Sequence, residues 1–166
     1  MNANGSSPNE ISPHDLMQAA IEAAQRGMQI GQTPFGCAIA LGGKIVAASH
    51  NTVLRDTDIT AHAEVNALRD AGKATCELLL TGAIVATTCE PCPMCAAALH
   101  WARVEHVYYG ADINDAASAG FNELHLSAAD LYRHGKSTTK LKGDVLADEC
   151  RQLFDEFNAK PDRSTY

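Results

Sequence analysis

Two short motifs constrain this chain more than anything else in it: His62-Ala63-Glu64 and, further along, Pro91-Cys92-Pro93-Met94-Cys95. One imidazole and two thiolates are zinc ligands, and three of them leave one tetrahedral position open for water. Glu64 is then a spare carboxylate beside that water. It is not needed as a ligand, and it can take a proton and later deliver it to a leaving group. Two thiolates cancel the charge of the metal, so such a site acidifies its water less than an all-histidine site. A neighbouring carboxylate closes that gap. Any fold this chain adopts has to bring both motifs to one point.

The spacing suggests how. Cys92 and Cys95 are three apart, which puts both sulfurs on one helix face. Pro91 suits the first position of that helix, and thiols at a helix N-terminus are favoured as thiolates. His62 and Glu64 are two apart and serve one water only at a helix start. Thr60 reads as the N-cap, followed by Ala61, Val65, Ala67, Leu68 and Ala71. A rival arrangement uses Cys89, which precedes Cys92 by the same interval. As a fourth ligand it would close the metal and leave a non-catalytic domain held by structural zinc. Glu64 and Pro91 would have no role there, and Cys89 falls at the end of a strand run. Cys37, Cys76 and Cys150 read as small buried hydrophobes.

Length and charge narrow the class. At 166 residues the chain is most simply one domain with a core that needs no disulfide staples. A flexible tail is expected over 1–11, with the zinc-dependent domain over 12–166. Against 20 acidic residues stand 13 Lys and Arg, a net charge of −7, which speaks against a nucleic-acid partner because phosphates require clustered cations. No apolar run reaches membrane-spanning length. Met1-Asn2-Ala3-Asn4-Gly5-Ser6-Ser7-Pro8 lacks the apolar core of a signal peptide, so reduced thiols and a cytoplasmic location are expected.

Along the chain, Ser12-Pro13-His14-Asp15 is a helix start running to about Arg26, with Gly27 and Gly31 flanking its end. Residues 35–41 and 44–48 read as strands joined by the two-residue turn Gly42-Gly43. The apolar run 83–88 suits a strand covered on both faces. A fourth strand is expected over 104–109, a short helix over 112–119, a fifth strand over 141–146 and an amphipathic helix over 147–158. Residues 120–138 carry little signal. Strands alternating with helices predict an α/β layered domain.

A His-x-Glu paired with Pro-Cys-x-x-Cys is the signature of zinc deaminases that act on nucleobases. Over residues 14–120 the chain resembles the cytidine and deoxycytidylate deaminase superfamily. Within it the chain most resembles the bacterial guanine deaminases, through Thr60–Val65, Cys89–Cys95, Trp101-Ala102-Arg103, Asp115-Ala116-Ala117-Ser118-Ala119-Gly120-Phe121 and a tyrosine at 166. The resemblance implies a three-layer α/β/α sandwich around a five-stranded mixed sheet, zinc on His62, Cys92 and Cys95, and Glu64 as proton shuttle. It implies that Asp115 contacts the guanine edge or moves a proton to the amine, and that Asn51 hydrogen-bonds the base. Phe35, Trp101 and Tyr166 would line or cover the pocket. The implied reaction is hydrolysis of guanine to xanthine and ammonia, with a free nucleobase as partner and a homodimer as assembly. Read from the residues alone, Asn51 also suits a turn, Asp115 a helix cap, Phe35 and Trp101 plain core, and Tyr166 a frayed end. Residues 122–145 follow the guanine deaminase pattern less closely. That leaves cytosine, amino-triazines and tRNA adenosine open as alternative substrates.

Overall fold

Alternation along the strands sorts the apolar residues into two cores. The computed structural model describes residues 11–166; the tail expected over 1–11 lies outside them except for Ile11, which packs against the core. The elements in chain order are α1 (Pro13–Gln29), β1 (Gly36–Leu41), β2 (Lys44–His50), α2 (Val53–Asp56), α3 (Ala63–Thr75), β3 (Ile84–Cys89), α4 (Pro93–Trp101), β4 (His106–Ala111), α5 (Ile113–Ser118), α6 (Ala128–His134), β5 (Lys140–Lys142) and α7 (Ala147–Asn158). The strands form one five-stranded sheet in the order β2-β1-β3-β4-β5. It is mixed: β1 is antiparallel to β2 and β3, while β3, β4 and β5 run parallel.

Within β1, Cys37 and Ile39 face α3 and α4, whereas Ala38 and Ala40 face α1 and α7. The same division runs through β3, with Val85 on one side and Ala86 on the other. Helices therefore cover both faces, giving the expected three-layer sandwich. At the end of the β1–β3 ladder the buried Thr88 hydroxyl accepts from the Gly36 amide at 3.1 Å and prolongs the pairing.

Local chemistry set most of the element starts. Ser12 caps α1 by accepting from the Asp15 amide at 3.1 Å, with Pro13 in the first turn. Gly42 and Gly43 both have positive φ, 59° and 77°, as the hairpin turn requires. Elsewhere tertiary contacts moved the boundaries. Helix α1 runs past Gly27 to Gln29, because that glycine sits against the His50 ring, where a Cβ would lie 2.8 Å from Cγ. β2 extends through Ser49 and His50, paired with Cys37 and Gly36. β4 begins at His106 and ends at Ala111, later than expected, following its parallel register with β3. β5 is only Lys140–Lys142. Helix α6 lies in the stretch from which the sequence predicts no element. Cys76 is exposed at the left-handed end of α3, not buried.

The closest backbone approach is that of β1 to α1. A Cβ on Gly36 would stand 2.0 Å from the Ala20 carbonyl oxygen and 2.7 Å from the Ala24 nitrogen, both fixed helix backbone. Gly36→Ala should therefore cost about 3 kcal/mol or more, since neither element can yield without repacking. The loss is read as a lower urea midpoint at unchanged slope.

Candidate active site

Both motifs start helices, each two residues later than the spacing predicts. Helix α3 begins at Ala63, with His62 as its N-cap in extended conformation (φ −66°, ψ 158°). Thr60 is not the cap; its hydroxyl turns back to Asp58 Oδ1 at 2.7 Å. Helix α4 begins at Pro93, with Cys92 as its N-cap (φ −62°, ψ 165°), so Pro93 and not Pro91 holds the first position. The two N-termini lie side by side, and each presents its first ligand from the cap residue. Cys95 and Glu64 follow in the first turns, the former buried and the latter 7% exposed.

The ligand atoms meet at the spacing zinc demands. His62 Nδ1 lies 3.7 Å from Cys92 Sγ and 3.6 Å from Cys95 Sγ. Around a tetrahedral zinc with ordinary Zn–N and Zn–S bonds, a nitrogen and a sulfur stand about 3.6 Å apart. Among the described residues, these three form the one group of His, Cys, Asp or Glu side chains placed to hold a metal. Cys89 stays out of it. Its sulfur points to the Asp112 carbonyl at 3.5 Å, so the knot of one nitrogen and three sulfurs does not form. Of the two sulfurs Cys92 is the one held as thiolate: a hydrogen bond from Cys95 holds it down to about 4, with burial opposing and His62 assisting, while the same hydrogen bond and then burial push Cys95 up.

Glu64 sits at the floor. Burial, then the charge of Cys92, raises its pKa, and the Thr87 hydroxyl donates to its Oε1 at 3.2 Å. A cavity of about 340 Å³ opens above it, at the small end of ligand pockets. Phe35, Cys89 and Phe121 form its apolar side, with Ile59, Met94 and Leu124 at the rim. Phe35 and Phe121 meet edge to face, with ring centroids 4.9 Å apart.

The remaining candidates divide. Tyr166 lines the pocket and tilts over the His62 ring, centroids 6.0 Å apart. Its hydroxyl accepts from Asn51 Nδ2 at 2.5 Å, and burial pushes its pKa up to about 12. Asn51 is 1% exposed, with its Oδ1 accepting from the Val53 amide at 3.3 Å; it backs Tyr166 and is not itself among the residues lining the pocket. Trp101 is displaced from the site. It ends α4, is 68% exposed and packs edge-on against His100. Asp115 does not reach the pocket either. It completes a capping box with Asp112 at the start of α5, each carboxylate accepting from the other's amide, and lies 3.5 Å from Arg151.

In its place the structure brings Glu123. This half-buried carboxylate lines the pocket, raised by burial and by the charge of Cys92 opposite. It lies in a stretch without periodicity, where the one readable cue is an acid two residues after the Phe121 that ends the Asp-Ala-Ala-x-Ala-Gly-Phe run.

This geometry separates the cysteines. Cys95→Ala should lose the metal, whereas Cys89→Ser should retain about one zinc per chain, as read by metal analysis of the purified proteins.

Comparison with known proteins agrees with this arrangement. The profile of the cytidine and deoxycytidylate deaminase zinc-binding region matches residues 11–111. Guanine deaminase of Bacillus subtilis is 44% identical over 109 residues, 65% of this chain and 70% of that protein. The tRNA-specific adenosine deaminase of the same organism is 34% identical over 143 residues, 85% of each chain. The X-ray structure of the Bacillus subtilis guanine deaminase superposes with a TM-score of 0.65 at 41% identity, covering 68% of this chain and 73% of that one. A zinc-ligand trio with a buried carboxylate beside it, on this sheet and with this profile, places the chain in the cytidine and deoxycytidylate deaminase family.

Proposed function

We propose that this deaminase acts on a free purine base and converts guanine and water to xanthine and ammonia. The observation that carries the reading is the carboxylate of Glu123, which lines the pocket with Glu64 and Glu90, Glu90 being already engaged by the Ala128 amide. The amine-bearing carbon of guanine is flanked by a ring N–H, a donor that a carboxylate accepts. The corresponding carbons of adenine and cytosine have only an acceptor nitrogen beside them, which would leave Glu123 unpaired. A site built around such a hydrogen bond rejects analogues that lack it far more strongly than an apolar pocket does.

Zinc, when bound, supplies the Lewis acidity that makes a water nucleophilic near neutral pH. Glu64 takes the proton of that water and passes it to the ring nitrogen on its side of the base. Thr87 holds the carboxylate at 3.2 Å in the orientation this requires. Glu123 anchors the ring N–H on the opposite side and stands where a proton for the departing amine is needed. Phe35 and Phe121 flank the planar ring, and Tyr166, held by Asn51 behind it, offers a polar edge for the base's remaining groups. Asp115 supports α5 from outside the pocket.

A second reading, adenosine in tRNA, draws on the 34% identity that extends over 85% of the chain. The net charge of −7 weighs against it. Ammonia release should be at least about 100-fold faster from guanine than from adenine, cytosine or cytidine. Comparable turnover of cytosine without guanine activity, or salt-sensitive tRNA binding with adenosine deamination, would overturn the assignment. Glu64→Gln should keep its zinc and lose roughly 10²- to 10⁴-fold in kcat. Treatment with a zinc chelator should abolish turnover, and added zinc should restore it.

A further inference from the structure

The pocket wall that carries Glu123 is the part least tied to the sheet. Residues 119–127 run between α5 and α6 without helix or strand, yet 121–124 face the cavity. Their own backbone bonds are local: the Phe121 amide to the Ala116 carbonyl, Glu123 to Phe121, and Leu126 to Leu124. Phe121 is also locked by its ring, packed against Phe35, Phe154 and Phe157. Beyond it, Glu123 and Leu124 have no such anchor.

One side chain spans this gap. Glu90 is half-buried, and its Oε1 accepts from the Ala128 amide at 2.8 Å. The Ile113 amide, the first of α5, also favours the charge on this carboxylate. These amides open α6 and α5, so a single group faces the outer ends of the stretch 113–128 within which the wall lies. Its own backbone is fixed, since the Glu90 amide donates to the Ala111 carbonyl at 2.8 Å, where β4 ends beside β3. Only a carboxylate does this without conflict. A glutamine keeps one acceptor oxygen but turns an N–H toward the second amide, and an alanine leaves both amides unpaired.

We propose that Glu90 is a positioning residue for substrate selection: its carboxylate holds the first amide of α6 beside the start of α5 and thereby keeps Glu123 against the base. The proposal rests on the reading of Glu123 given above. Glu90 itself also lines the cavity; its role runs through the Ala128 amide, without contact to the reacting atoms. The acid preceding the Pro-Cys-x-x-Cys ligands thus couples the metal helix to the specificity wall, which lies more than thirty residues away in sequence.

Glu90→Gln, prepared zinc-loaded in the full chain, tests this by two measurements. Amide exchange across 122–128 should quicken by about tenfold or more while α3 and α4 keep their protection and the zinc content stays unchanged. In kinetics, kcat/KM for guanine should fall about tenfold in an otherwise unsubstituted chain but less than about twofold in a Glu123→Gln background, because the two changes remove one function. Glu90→Asp keeps both acceptor oxygens on a shorter arm and should fall between the two in each measurement. Unchanged protection over 122–128, or equal losses in both backgrounds, would overturn the proposal. If the unsubstituted protein released no ammonia from guanine, the functional reading would fail, and the exchange measurement would still decide whether Glu90 is the clamp.

Discussion

Two helix N-termini set side by side are the constraint on which the rest of the molecule depends. At such an end the cap residue is still extended and its side chain is free to point along the helix axis, while the first turn is already fixed. His62 and Cys92 both occupy cap positions, and Glu64 and Cys95 both lie one turn in. A cap and a first-turn residue on each of two helices make four side chains converge on a space the size of one hydrated ion. The amides at these ends favour anionic sulfur and carboxylate, so the backbone itself helps to collect the ligands.

The sheet sets the distance between those helices. β3 ends at Cys89 in the centre of the sheet, antiparallel to β1 on one side and parallel to β4 on the other, and the chain leaves it directly into α4. Helix α3 packs on the same face through Ala63, Ala67 and Ala71, residues small enough to bring its axis close to the strands. Gly36 does the same for α1 on the opposite face, where its missing Cβ lets the helix backbone approach. Small residues thus decide the depth of the pocket floor, while phenylalanines on α7 and in the 119–127 stretch decide its width.

The site was only partly legible before folding. Ligand chemistry is written in residue types and short spacing, which is why His62, Cys92, Cys95 and Glu64 stand out in the chain. The exact helix starts did not follow, because Thr60 and Pro91 are locally good openers that were overruled by a turn through Asp58 and by the strand end at Cys89. Asp115 looked like a pocket acid from its motif and proved to be a capping-box member, a role its local sequence equally suits. Trp101 lies next to the metal helix in sequence, but the end of that helix points away from the cavity. Glu123 had no periodic context, and only the path of the chain over the cavity gives it a role.

What the sequence determined by itself is the layered α/β class, the two cores implied by strand alternation, and the chemistry of a three-ligand metal centre with a spare carboxylate. These rest on interactions within a few residues or on a repeating pattern, and such information is local. The tertiary structure alone decided which sulfur stays outside the ligand set, which acids line the pocket, where Asn51 and Tyr166 meet, and which helix start Glu90 holds. Each of these is a meeting of groups from distant segments. Their separation depends on strand order, on register and on how closely helices approach the sheet, quantities that no short stretch of chain contains.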